Sequence, residues 1–229
     1  MQERLGSLKC VDIIREAYFR NTIKGFLNGN EKVLFVGGGT DASLEYYCQA
    51  GLKITFTDIN TEAVNYTKRI FENKSYQIEF NCCSAYMLPY EDSSYDIVVS
   101  TLNGSYFNGD SLAEFSRVLK SNGIVLLSET TPEYVDYLKS IGRYDGRYIL
   151  SSDFTSKIWH PYVYTKQKLL ELTDSYDFEC VQYDVLTPNN LIPCEIISSV
   201  ILGLAKHLNT SVDDVPFLYY MVLRKREDF

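Results

Sequence analysis

An α/β fold with buried parallel strands follows from three features of the 229-residue chain. Short apolar runs bounded by glycine or polar residues alternate with segments whose apolar residues recur at helical spacing. A triple glycine, Gly37-Gly38-Gly39, separates the apolar run Val33-Leu34-Phe35-Val36 from the helical segment after it. A single acid, Asp58, closes the next run. It lies about as far beyond Gly37 as a nucleoside-binding unit places the acid for its ribose hydroxyls.

Each element can be justified in turn. Leu8 to about Phe26 carries Val11, Ile14, Tyr18, Ile23 and Phe26 at amphipathic spacing, so residues 1–30 are expected to form an N-terminal helical segment. Val33–Val36 reads as a strand buried on both faces. The glycines then permit a tight turn and a close approach of backbone to a bound molecule. Thr40 and Asp41 can cap a helix running to about Gln49, whose first amides face the same crevice. Gly51 ends that helix, and Ile54-Thr55-Phe56 returns to the sheet. Asn60 or Thr61 caps a helix with Ala63, Val64, Thr67, Ile70 and Phe71 on one face. Tyr76 to Asn81 alternates as a third strand, and Tyr95 to Ser100 is a fourth.

Ser111 and Glu114 match a capping box for a helix that turns Leu112, Phe115 and Leu119 inward. Asn122-Gly123 is expected to end it, before a fifth strand reaching Ser128-Glu129. Thr131-Pro132 starts a further helix in the cap-plus-proline manner, ending near Gly142. Residues Arg143 to Tyr164 are rich in tyrosine, lack a period and are too long for an ordinary connection, which makes them a lid or a disordered excursion. Their aromatic content argues against disorder. Thr165 caps a short helix through Leu172, and Phe178 to Val185 is a sixth strand. Behind Pro193, Ile197, Val200, Ile201, Leu204 and Leu208 repeat at helical spacing, as core, dimer surface or substrate cap. Phe217 to Leu223 is the last strand.

Composition narrows the function. Hydrophobic content of 45% and charged content of 23% are those of a soluble globular chain, and the length suits a single domain over 1–229. The net charge of −8 would repel nucleic acid and favours a small-molecule substrate. No apolar run spans a bilayer and the start is unlike a signal peptide, so a cytoplasmic protein without membrane attachment is expected. The six cysteines contain no C-x-x-C pair and read as reduced thiols. With two histidines available, no metal site is expected.

Gly37-x-Gly39-x-x-Ala42 also fits a dinucleotide fingerprint, and a tight turn that binds nothing would look the same. The downstream sequence separates these possibilities. Leu88-Pro89-Tyr90-Glu91-Asp92-Ser93-Ser94-Tyr95-Asp96, running into Ile97-Val98-Val99-Ser100, resembles the segment before the fourth strand of class I S-adenosylmethionine-dependent methyltransferases. Arg117-Val118-Leu119-Lys120-Ser121-Asn122-Gly123, followed by Ile124–Leu127, resembles that family's helix, turn and fifth strand. With the glycine turn, these motifs cover roughly residues 31–129 in the family's order.

The resemblance implies a doubly wound, mostly parallel seven-stranded sheet whose last strand is antiparallel, with 31–129 as the cofactor-binding core. Residues 143–164 and 186–216 would be lid or cap insertions. It implies S-adenosylmethionine as cofactor and methyl transfer to oxygen, nitrogen or carbon of a small molecule. Gly37, Gly38, Gly39 and Asp41 would face its amino-acid end, and Asp58 its ribose. Ile59, Ser84, Ala85, Tyr86 and Thr101 would complete the cofactor site. Tyr18, Asn103, Tyr106 and Trp159 would surround the acceptor.

His160 is the general-base candidate by residue type, and Glu129 at the sheet's carboxyl edge is a second. A surface histidine and a polar strand end are the plainer alternatives. Two positions depart from the family. Phe35 stands where an acid is usual and Asp41 where the last glycine is usual; Asp41 could take over part of the lost role. These departures keep open a noncatalytic or partner subunit, monomeric or homodimeric like the enzyme itself. A nicotinamide-dependent oxidoreductase is the remaining alternative.

Overall fold

The computed structural model describes residue 18 and residues 23–38, 43–101, 108–142, 147–149, 156–158, 164–188, 199–216 and 218–227. In chain order the elements are β1 (Lys32–Val36), α1 (Leu44–Gln49), β2 (Lys53–Asp58), α2 (Thr61–Phe71) and β3 (Ile78–Cys82). They continue with β4 (Tyr95–Thr101), α3 (Gly109–Val118), β5 (Leu119–Thr130), α4 (Pro132–Ser140), β6 (Arg147–Ile149) and β7 (Ser156–Ile158). The last are α5 (Lys166–Asp174), β8 (Phe178–Leu186), α6 (Ser199–Leu208) and β9 (Leu218–Lys225).

Seven strands form one sheet in the order β3-β2-β1-β4-β5-β9-β8. β1 to β5 pair in parallel, and β9 runs antiparallel to both β5 and β8. Strand order reverses at β1, whose neighbours are β2 and β4, so a crevice opens beyond the carboxyl ends at this point. The sheet is buried on both faces. Val33 and Phe35 point into one apolar cluster with Leu44, Tyr47 and Phe56, and Leu34 and Val36 into another with Leu112, Phe115 and Val125. That two-sided burial is why the first strand shows a continuous apolar run.

Most expected elements are present. Asn60 caps α2 by accepting the Glu62 and Ala63 amides, and Thr131 caps α4 by accepting the Tyr134 amide ahead of Pro132. Thr165 accepts the Lys168 amide at the start of α5. In α6, Ile201, Leu204 and Ala205 are buried in the core cluster that holds Phe35 and Tyr220, so core packing accounts for the stripe's inner side.

Five expectations are corrected or refined. The cap of α3 is Asn108, whose side chain accepts the Asp110 and Ser111 amides while the Ser111 hydroxyl serves as its reciprocal partner. Glu114 is drawn away to Arg117 and to the Leu88 amide. The same helix ends at Val118, not at Asn122-Gly123, because Leu119 is extended and pairs with Tyr95. Asn122, at φ 62°, makes an irregularity within β5 before pairing resumes at Ile97–Ile124. Within 143–164, Arg147–Ile149 and Ser156–Ile158 form a two-stranded antiparallel ribbon, which the missing period did not announce. β3 also begins two residues later than Tyr76. Residues 23–26, at the end of the expected first helix, form a 3₁₀ turn.

The Thr131 hydroxyl accepts the Tyr134 amide and donates to the Pro216 carbonyl at 2.7 Å, so one residue caps α4 and holds the chain entering β9. Thr131→Ala is expected to lower unfolding free energy by about 1–2 kcal/mol in urea titrations.

Candidate functional site

β1 ends in a turn that only glycine accommodates easily. Gly37 has φ 65°, in the left-handed region. A Cβ on Gly38 would lie 2.2 Å from the Phe56 ring, so the backbone there rests directly against β2. The Gly38 amide donates to the Thr57 carbonyl at 3.1 Å, and the Thr57 hydroxyl donates to the Phe35 carbonyl at 2.8 Å. The chain therefore leaves the sheet beside residue 57, one position before the acid. Gly39 and Asp41 lie outside the described residues, as does Thr40.

Asp58 closes β2 and is 9% exposed. Its Oδ1 accepts the Asn60 amide at 2.8 Å, and its main-chain carbonyl accepts the Cys83 amide at 3.2 Å. The Asn60 bond orients the carboxyl group at the strand end. Ile59 beside it is 54% exposed.

β3 ends at Cys82, opposite Asp58 in the register. Beyond it, Cys83 to Met87 form a short turn in which Ser84 bridges Met87 and the Ser84 hydroxyl accepts the Tyr86 amide. Ala85 is half-buried, while Tyr86 and Met87 are exposed. Ile59 follows Asp58, and Tyr86 and Met87 lie in the turn after β3; each exposes apolar surface of a kind suited to a flat ring.

An oriented carboxylate, a bare backbone turn and a serine with exposed apolar neighbours thus stand at three adjacent strand ends, a set of groups that could hold a nucleoside. Phe35 offers no such group. Phe35 is 1% exposed, and its ring meets Tyr47 of α1 edge-on at 4.9 Å. It is a core residue that fastens α1 to the sheet.

At the next strand ends, Thr101 closes β4 opposite Ser128, and Glu129 lies near the end of β5 opposite Tyr219. Tyr18 is buried, its hydroxyl donating to Asp184 Oδ2 at 3.0 Å and its ring centroid 4.2 Å from that of Tyr220. Burial, with the Asp184 charge adding to it, pushes the Tyr18 phenol well above its ordinary range, so it stays protonated. This ties Tyr18 to the antiparallel end of the sheet, away from the Asp58 crevice in strand order. Asn103, Tyr106, Trp159 and His160 lie outside the described residues.

Among the described residues no group of three or more His, Cys, Asp or Glu could hold a metal ion, and no helix is long and apolar enough to cross a membrane. Cys48, Cys82, Cys83 and Cys180 are free thiols. Burial pushes Cys48 up to about 12, whereas Cys82 is exposed against Thr61 and the Ile59 carbonyl. A groove along α2, lined by Asn60, Tyr66, Arg69 and Glu72 among others, shares only Asn60 with the surroundings of Asp58.

Sequence inspection did not find the role of Arg117 and Glu114. These α3 residues grip the chain immediately after the Ser84–Met87 turn. Their i,i+3 spacing was visible, but not their distant partners.

Residues 34–127 match the model of a methyltransferase domain family. No curated protein sequence matches the chain. A SAM-dependent methyltransferase from Methanosarcina mazei shares the fold at 20% identity and TM-score 0.64, over 91% of this chain and 98% of that one. The YcgJ protein of Bacillus subtilis aligns at 15% identity and TM-score 0.64, over 93% and 99% of the two chains. The [4+2]-cyclase SpnF aligns at 18% identity and TM-score 0.65, over 95% of this chain and 82% of its own.

A ligand at Asp58 would cover Cys82, its neighbour across the β2–β3 register. Alkylation of Cys82, followed by peptide mass spectrometry, is expected to slow at least about threefold with S-adenosylhomocysteine present, while the rate at buried Cys48 stays low in both conditions.

Proposed function

We propose that this chain is a class I S-adenosylmethionine-dependent methyltransferase that methylates a small-molecule acceptor, and that the ends of β1, β2 and β3 hold its cofactor. When bound, S-adenosylmethionine supplies an electrophilic methyl group on a sulfonium. The oriented Asp58 carboxylate is the observation that carries the assignment of the cofactor site. It would accept the ribose hydroxyls, while Gly37, Gly38 and Gly39 bring main chain close to the amino-acid end. Ser84 and the Ala85 amide would meet the polar edge of the adenine, with Ile59 and Tyr86 along its faces. Asp41 would attract the cofactor's ammonium in place of the acid replaced by Phe35.

Methyl transfer is an in-line displacement, so the chain's main task is to hold the acceptor atom about 3 Å from the methyl group and aligned with the departing sulfur. Thr101, Asn103, Tyr106 and Glu129 belong to the carboxyl ends of β4 and β5 or the chain just beyond, where the acceptor would lie. Tyr18 and Trp159 would bound it from the N-terminal segment and the 143–164 insertion. A base is needed only where the acceptor still carries its proton, and His160 or Glu129 would then take it. The net charge of −8 supports a small acceptor over a nucleic acid.

A partner-subunit role is the second reading, and buried Phe35 is the feature that favours it. A Haloferax volcanii protein described as a methyltransferase, 14% identical over 86% of this chain with TM-score 0.64, is seen in complex with the Trm112 methyltransferase activator. Formation of S-adenosylhomocysteine in the presence of candidate acceptors would separate catalysis from a purely accessory role.

Equilibrium titration with S-adenosylmethionine tests the cofactor site. Asp58→Ala removes charge-assisted hydrogen bonds and is expected to raise Kd roughly tenfold to a hundredfold. Equal affinity in the variant and the wild type would remove Asp58 from the site.

A further inference from the structure

The turn assigned to adenine is short and pinned at both ends. In front, the Cys83 amide is held by the Asp58 carbonyl, and its side chain is half-buried. Behind, Leu88 is 4% exposed; its amide donates to Glu114 Oε2 at 2.6 Å and its carbonyl accepts from Arg117 Nη2 at 2.9 Å. Arg117 Nη1 donates to the Tyr90 carbonyl at 2.7 Å and to Asp92 Oδ1 at 2.8 Å. Its Nε and Nη2 each reach a Glu114 carboxylate oxygen at 2.8 Å. One planar guanidinium therefore fixes two carbonyls and one carboxylate of the chain that directly follows the turn, and the Glu114 carboxylate of its own helix.

We propose that the Glu114–Arg117 pair is a positioning element for the cofactor: it sets the placement of the Ser84–Met87 turn relative to Asp58, and so the affinity for the adenosyl group, without touching it. The proposal rests on the assignment of the cofactor to this crevice. A turn held only at Cys83 could pivot about that end; the second anchor removes the freedom, and binding groups must be placed within about 0.5 Å to act together. The ion pairs themselves are partly exposed, Asp92 at 75%, and such pairs add little to folding stability. Their geometry is the more telling feature, because a lysine could keep the charge but not the fork. The hydrogen bonds from Arg117 hold Glu114 below the usual carboxylate range, so it stays ionised as that fork requires.

Arg117→Lys retains charge and loses the fork; Glu114→Gln retains an acceptor for the Leu88 amide and loses the charge. Full-length wild type and both variants would be titrated calorimetrically with S-adenosylhomocysteine, with thermal melts of the ligand-free proteins alongside. Arg117→Lys is expected to raise Kd roughly threefold to thirtyfold, with a smaller rise for Glu114→Gln. Once an acceptor is known, KM for S-adenosylmethionine should rise while kcat holds, as for an interaction used equally in ground and transition states. Lowered melting temperatures with wild-type Kd in both variants would make the pair a tie for α3 alone and overturn the proposal. If the wild type binds no S-adenosylhomocysteine, the crevice assignment fails and this proposal with it. If wild type and variants bind equally, the crevice stands and only the positioning role is lost.

Discussion

The Gly38 amide rests on the Thr57 carbonyl at 3.1 Å, and the carboxyl edge of the sheet takes its form from that contact. It allows the chain to leave β1 without a side chain between the turn and β2, where Phe56 fills the space a Cβ would need. Asp58 is the next residue along β2. A larger residue at 38 would force the turn away from Phe56 and open the distance over which a carboxylate and a bare backbone can share one ligand. Gly37, with its positive φ, makes the departure possible.

Beneath this edge the sheet is a rigid floor. Apolar clusters cover both faces, and two buried hydroxyls are bonded across neighbouring strands or side chains: Thr57 on the Phe35 carbonyl, and Tyr95 on Thr55 at 3.1 Å. Such packing fixes strand ends well and loops poorly. Asp58 therefore has a strand to fix it, whereas the Ser84–Met87 turn needs its own tethers. Asp58 provides one of them through its carbonyl, so the residue proposed for the sugar also locates the turn proposed for the base. Phe35 shows the opposite choice. Its side chain serves the core through Tyr47.

Much of this was legible in the residue order. The apolar runs of β1 and β2, the glycine turn and Asp58 are local signals, and buried parallel strands leave a strong one. Thr131-Pro132 identified its helix start for the same reason. The failures share a cause. Ser111 and Glu114 satisfied a local capping pattern, yet Asn108 was a better-placed cap and Glu114 had partners at Leu88, far away in sequence. Leu119 looked like the inner face of a helix, but pairing with Tyr95 drew it into the sheet. The ribbon of Arg147–Ile149 and Ser156–Ile158 is too short to leave a two-residue period. The turn after β3 could be located by its position; the brace that holds it could not, because it joins segments by tertiary contact alone.

The central claim is that a carboxylate at the end of β2 receives the sugar of an adenosyl cofactor. A crystal structure of the S-adenosylhomocysteine complex tests it most directly. The account predicts both ribose hydroxyls within about 3 Å of the Asp58 carboxylate oxygens, with the base against the Ser84–Tyr86 turn. A ligand bound elsewhere, with Asp58 contacting only protein atoms, would contradict it.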